Sequence, residues 1–221
     1  MYTYEVAEHF ISINGEGPLA GELALFIRFK GCNLRCSYCD TAWAAPEDAP
    51  CTVKTGEEIL KLAEDAGVKN ITLTGGEPLF RPHMHELIRS LSMKGHHVEI
   101  ETNGSIPLSS YKDVLEHAAF TMDYKLPDSG MESYLQLANL ELLEAKDTVN
   151  FVASSHSDLD KAAQIIEQYN LTERCHVYLS PVFGRIDPKD IVAYMIKHNM
   201  NGLRLQLQMH KFIWDPEMRG V

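Results

Sequence analysis

An incomplete TIM-type (β/α) barrel is the fold class that the sequence predicts, and three observations predict it. Apolar, strand-like runs alternate with amphipathic helical stretches, which means a mainly parallel sheet covered by helices. The alternation gives roughly seven strands in 221 residues, short of the ~250 residues of a complete eightfold barrel. The segments with the most chemical character follow or end a strand, where ligands bind in such folds.

The elements follow in order. "LALFIRF" (23–29) is a nearly continuous apolar run, as a buried strand should be. "TGEEILKLAEDAG" (55–67) is a helix with a capping box at Thr55 and Glu58 and a stop at Gly67. "NITL" (70–73) is a strand, "PHMHELIRSLSMKG" (82–95) a helix opened by Pro82, and "HVEIE" (97–101) a strand. A helix is predicted over 109–117, a strand over 119–124, a helix near 131–145 and the strand "TVNFVA" over 148–153. In the next helix, 157–169, Leu159, Ala162, Ala163 and Ile166 share one face. "HVYLS" (176–180) is a strand, and "DPKDIVAYMIKH" (187–198) a helix with Asp187 as N-cap and Pro188 in its first turn. "LRLQL" (203–207) alternates like a last strand.

No Pro/Gly/Ser linker cuts the chain, so residues 1–221 are expected to form a single domain. The net charge of -11 argues against nucleic acid as the main partner, because phosphate backbones are not drawn to an acidic chain. There is no signal peptide and no apolar run long enough to span a membrane, so a cytoplasmic location is expected. Cysteines there are kept reduced, and a dense cluster of them more often binds metal than forms a disulfide.

Three of the five cysteines stand in "GCNLRCSYCD" as Cys32, Cys36 and Cys39, spaced C-x3-C-x2-C. Two readings are open. Cys51 or Cys175 could supply a fourth ligand and close a structural iron–sulfur or zinc site, in a protein with no catalytic role. Alternatively, a [4Fe–4S] cluster keeps one iron free for a small molecule. "LTGGEP" (73–78) follows the next strand, and paired glycines there allow a backbone to approach a ligand closely. The remaining histidines, His83, His85, His96 and His97 among them, show no metal-ligand spacing.

C-x3-C-x2-C after one strand with GGEP after the next resembles the radical S-adenosylmethionine (SAM) enzymes. "SINGEGPLAGELALFIRFKGCNLRCSYCDT" and the tail "LQLQMHKFIWDPEMRGV" are similar, more narrowly, to the 7-carboxy-7-deazaguanine synthase family. Glycyl-radical activases share the cysteine spacing and are the second candidate within the superfamily. The resemblance implies a partial barrel of the radical SAM type. It implies a lyase that contracts 6-carboxy-5,6,7,8-tetrahydropterin to 7-carboxy-7-deazaguanine with loss of ammonia, in queuosine and 7-deazapurine biosynthesis. The cofactors implied are a [4Fe–4S] cluster, SAM that is regenerated, and Mg²⁺. An external electron donor such as flavodoxin or ferredoxin and a homodimer are implied as partners.

The family's site residues carry over position by position. Cys32, Cys36 and Cys39 would ligate the cluster, and Thr41 the Mg²⁺, with Asp40 near its waters. SAM would meet Tyr38, Cys39, Asp40 and Gly76, the "DYK" residues Asp123, Tyr124 and Lys125, and the "SPVF" residues Ser180, Pro181, Val182 and Phe183. The pterin would meet Ile13, Asn14, Gly15 and Glu16, then Arg28, Thr74, His210 and the carboxylate of Val221. Asn14 stands where the family has Gln, and "DYK" where many members have S-P-K. Glu101, Thr102 and Asn103 are further candidates, for the ribose; Trp214 is expected to pack. No residue is assigned to proton transfer.

Overall fold

A computed structural model describes residues 2–221. Its strands are β1 (Thr3–Ile13), β2 (Leu23–Phe29), β3 (Thr52–Thr55), β4 (Asn70–Gly75), β5 (His97–Thr102), β6 (Ala119–Tyr124), β7 (Thr148–Ala153), β8 (His176–Pro181) and β9 (Leu203–Leu205). The helices are α1 (Gly56–Ala66), α2 (Met84–Met93), α3 (His156–Tyr169), α4 (Pro188–Lys197) and α5 (His210–Ile213). Among the described residues the strands form one sheet in the order β3-β1-β2-β4-β5-β6-β7-β8-β9. From β2 to β9 every pairing is parallel, and β1 runs antiparallel to both β2 and β3. β3 and β9 remain edges, so the sheet is an open, partial barrel.

The two faces of the sheet differ in kind. Ile27, Phe29, Leu73, Ile100, Phe120, Met122 and Phe151 join Met84, Leu87, Ile88 and Leu91 of α2 in one buried core. Burying each such side chain contributes about 1.5–3 kcal/mol. Successive strand residues point to opposite faces. The alternate positions are therefore the other, inner face: Thr72, Thr74, Glu99, Glu101, Thr121, Asp123, Asn150 and Ser180.

Several local expectations match. Thr55 and Glu58 make the reciprocal capping box of α1, and Gly67 ends it in the left-handed conformation. Asp187 caps α4 by accepting from Lys189 N, with Pro188 in the first turn. Others need correction. β1 and β3 were not predicted: a bulge between Val6 and Glu8 breaks the alternation of β1, and β3 has only 4 residues. Pro82 does not open α2; Pro78–Phe80 forms a 3-10 turn, and α2 begins at Met84 after His83 takes a positive φ of 62°.

The predicted helix over 109–117 is two 3-10 turns, Leu108–Tyr111 and Leu115–His117. The one near 131–145 is likewise a set of short 3-10 turns. Asn139 explains part of this. Its buried amide accepts from Leu108 N and donates to Gly104 O and Ile106 O, pinning the two segments together where a helix would have taken those groups. In α3 the core-facing side also carries Ile165, which is buried, while Ala163 packs against the core only partly buried. β9 stops at Leu205, two residues early.

Candidate active site

The cysteine loop leaves the carboxyl end of β2 and is held from below by β4. A Cβ on Gly76 would lie 1.9 Å from Gly31 O, and one on Gly75 2.3 Å from Phe29 O. Only glycine allows that approach, which lets Gly76 N donate to Phe29 O (3.0 Å) and Glu77 N to Gly31 O (3.0 Å). The Glu77 carboxylate is fully buried and accepts from Leu79 N, Thr102 Oγ1 and Asn103 N at 2.7–3.0 Å. Burial pushes its pKa up to about 7 against those three bonds, which favour the anion. Asn103 then donates to Asn33 Oδ1 at 3.1 Å and reaches within 3.6 Å of Cys32 Sγ. Thr102 and Asn103, candidates for a ribose, are thus engaged in tying β5 to the loop.

All three loop cysteines are free thiols: Cys32 and Cys36 half-buried, Cys39 exposed. Burial raises the thiols of Cys32 and Cys36, and the charge of Lys125 favours the Cys36 thiolate. Among the described residues no three His, Cys, Asp or Glu side chains already converge around a metal position. The donor set nonetheless fits an iron–sulfur cluster: three free thiols in one short loop, with a cation beside one of them. Cys175 precedes β8, at the opposite end of the sheet, and Cys51 is exposed with its sulfur 4.0 Å from Glu5 Oε1. Thr41 has no side-chain capping bond, and its Oγ1 lies 3.7 Å from Cys39 Sγ. Asp40 is exposed, and its charge reaches Glu16 and His210.

The expected SAM residues surround this loop unevenly. Tyr38 OH donates to Val152 O at 3.1 Å, and Arg185 lies over its ring at 5.7 Å. Lys125 Nζ bonds Asp123 Oδ2 at 2.9 Å; burial alone would lower the Lys125 pKa, and Asp123 holds it high. Tyr124 faces the other way. Its ring is buried against Phe151, and its hydroxyl donates to Glu132, so only its backbone reaches the mouth. Ser180, Pro181 and Val182 are buried, whereas Phe183 is exposed and meets Phe212 edge-on at 6.5 Å.

The expected pterin residues line the inner face and the seam between β1 and β9. Ile13 ends β1, opposite Leu23. Asn14 is buried; its Oδ1 accepts from Thr72 at 3.1 Å while its Nδ2 has no partner. An unpaired buried N–H is costly, so this donor marks where a polar ligand atom belongs. Arg28 spends Nε on Glu8 (2.8 Å), and among the described residues its terminal nitrogens make no hydrogen bond. Thr74 bonds Glu101. The tail docks on Gly15: Met209 N donates to Gly15 O at 3.2 Å, and a Cβ on Gly15 would meet His210 Nδ1 at 3.3 Å. Arg219 stacks on Trp43 at 4.1 Å, a few residues past the cysteine loop, and Val221 is half-buried. Trp214 is only partly buried.

Burial makes two of the lumen's carboxyl groups and its histidine reluctant to carry charge. Burial, with Asp123, Glu101 and Asp40 nearby, pushes Glu16 up to about 8, against a hydrogen bond from Gln208. Burial and Glu99 push Glu101 up to about 7, against a bond from Thr74 and the charge of Arg28. Burial also lowers the His210 pKa. Near neutral pH the wall therefore offers a carboxylic acid and a neutral imidazole, suited to the donor and acceptor edge of an uncharged heterocycle. The residues that sequence reasoning missed are Thr72, Glu99, Thr121, Asn150 and Gln206. Their one available signal is period-two polarity inside otherwise apolar strands, as in "HVEIE" and "FTMDY".

Known proteins resemble this chain in sequence and in fold. A model of the Radical SAM superfamily matches residues 26–129. A 7-carboxy-7-deazaguanine synthase of Clostridium acetobutylicum is 50% identical over 219 residues, 99% of each chain. One from Methanospirillum hungatei is 36% identical over 96% of this chain and 86% of its own. The crystal structure of QueE from Escherichia coli, 22% identical, superimposes with a TM-score of 0.73 over 94% of this chain and 95% of its own, a likeness of fold.

Proposed function

The chain belongs to the 7-carboxy-7-deazaguanine synthase family of the radical SAM superfamily, and on that premise we propose how its residues divide the work. It is a radical SAM lyase that uses a [4Fe–4S] cluster and SAM and takes electrons from a reductant. When bound, these cofactors supply the radical that initiates contraction of 6-carboxy-5,6,7,8-tetrahydropterin to 7-carboxy-7-deazaguanine, with Mg²⁺ assisting. Cys32, Cys36 and Cys39 hold the cluster. Gly76, Lys125 and the 180–183 segment face SAM, as do Tyr38 and Asp40. Thr41 supplies the protein's hydroxyl to Mg²⁺, which keeps most of its waters.

The pterin lies over the inner face. Asn14 Nδ2, Glu16 and Thr74 meet the heterocycle, and His210 closes on it from the tail. The free terminal nitrogens of Arg28 face the substrate carboxylate as a planar fork. Residues 1–221 act as one domain, in a homodimer served by a flavodoxin or ferredoxin in the cytoplasm. The observation that carries the reading is the cysteine loop locked through Gly76 onto the rim of a polar lumen that holds one unsatisfied donor, Asn14 Nδ2.

The test is anaerobic reconstitution with iron and sulfide, followed by SAM, Mg²⁺, reductant and the carboxytetrahydropterin. Formation of the deazaguanine acid is expected. SAM cleavage without that product would remove the substrate assignment and leave the superfamily chemistry standing.

A further inference from the structure

Gln206 belongs to no motif, yet it joins two groups that the sequence keeps 160 or more positions apart. Its buried amide accepts from Gly17 N at 2.6 Å through Oε1. Through Nε2 it donates to Glu16 Oε1 (2.9 Å) and to Ser180 Oγ (3.1 Å). The opposite orientation would aim an amide NH₂ at the Gly17 N–H, so the bonds fix the direction. Ser180 Oγ donates onward to Asn150 Oδ1 (2.7 Å), and Asn150 Nδ2 to Asp123 Oδ1 (3.2 Å), which Lys125 holds from its other oxygen (2.9 Å). Each step of this ladder pairs a donor with an acceptor, and its two ends lie on carboxyl oxygens of Glu16 and Asp123. It runs from the pterin-facing turn at 15–17 to the SAM-facing residues of β6 and β8.

We propose that Gln206 is a positioning residue that couples the two pockets. It holds the Glu16 carboxyl and the 15–17 turn at a fixed distance from Ser180, so that ordering either pocket orders the other. No chemical step is assigned to it. The inference rests on the functional reading above for the identity of the two ligands, but not for the ladder itself.

The decisive variant is Gln206→Met, close in volume and without hydrogen-bonding groups. In reconstituted protein without ligands, amide exchange over residues 14–17, at Gly17 above all, should accelerate, a readout that needs no pterin. Pterin affinity should fall about tenfold or more while kcat at saturating pterin changes less; in wild type pterin is expected to tighten SAM binding, and in the variant that effect should vanish, couplings of this kind spanning about 5- to 150-fold. Unchanged exchange and unchanged coupling in a folded Gln206→Met protein would overturn the proposal. Should that variant fail to fold, Gln206→Asn carries the test: its amide is one methylene too short to span Glu16 and Ser180 together, so coupling must be lost while SAM and pterin each still bind alone. Coupling retained in Gln206→Asn also overturns the proposal. Wild-type protein that binds SAM but no pterin would instead refute the substrate assignment, with the exchange result still deciding the role of Gln206.

Discussion

Gly76 has no room for a side chain. A methyl there would enter the backbone of Gly31, 1.9 Å from its oxygen, and a backbone cannot yield as a flexible side chain does. Gly76→Ala should therefore cost about 3 kcal/mol or more. For a chain of 221 residues that lowers Tm by roughly 6–12 °C. Iron content after reconstitution should fall with it. A variant with wild-type Tm and iron content would show that β4 does not hold the cysteine loop.

Glu16 poses a different question at the same scale. Its folded-state pKa, about 8, lies above the unfolded value of 4.5, so the folded chain keeps a proton that the unfolded chain has lost. Such a group stabilises fully below the lower value, and its contribution is lost as pH rises through the higher one. Glu16→Gln cannot ionise and should gain stability relative to wild type as pH climbs from roughly 5 to 8. Neighbouring carboxylates titrate with it, so the difference curve should be broad. Thermal melts of ligand-free protein across that range give the curve; a flat or falling difference would contradict the assignment.

At the scale of elements, the strands and capped helices were legible because their signals are local. The Thr55–Glu58 box, the Asp187–Pro188 start and the apolar runs of β6 and β7 need no tertiary partner to be read. The stretch from 108 to 141 was not legible because a distant side chain decides it. Asn139 satisfies backbone groups at 104, 106 and 108, some thirty residues away, and no helical period announces that. Asn139→Ala would leave Leu108 N and Ile106 O unpaired, while Gly104 O keeps its bond from Gln136 N, and should cost about 2–4 kcal/mol. Urea unfolding is the check, and a midpoint equal to wild type would place the cause of the 3-10 turns elsewhere. The candidate site divides in the same way. Cysteine spacing and GGEP stand out in one dimension, whereas the pairing of Gln206 with Gly17 exists only after folding.

At the scale of the molecule, the barrel is closed by something other than strands. β9 and β3 do not pair, and contacts such as Gln206 to Gly17 and Met209 N to Gly15 O bridge the seam instead. A chain ending at Leu207 would lose Gln208, His210 and the Met209 bond while keeping the cysteine loop and its support. Iron loading of that truncated chain should match wild type, and its pterin affinity should fall by more than about tenfold, 1.4 kcal/mol. Loss of iron loading as well would mean that the tail, through Arg219 on Trp43, also supports the cluster loop.

The two-faced sheet has a consequence for how such a pocket can change. Core and wall share the same strands but not the same residues: Leu73, Ile100 and Met122 carry the folding energy, and Thr72, Glu99 and Thr121 shape the space. Mutational drift can sample the second set while the first stays fixed. A lineage built on this frame is thus free to re-cut its ligand specificity in single steps, without passing through unfolded ancestors.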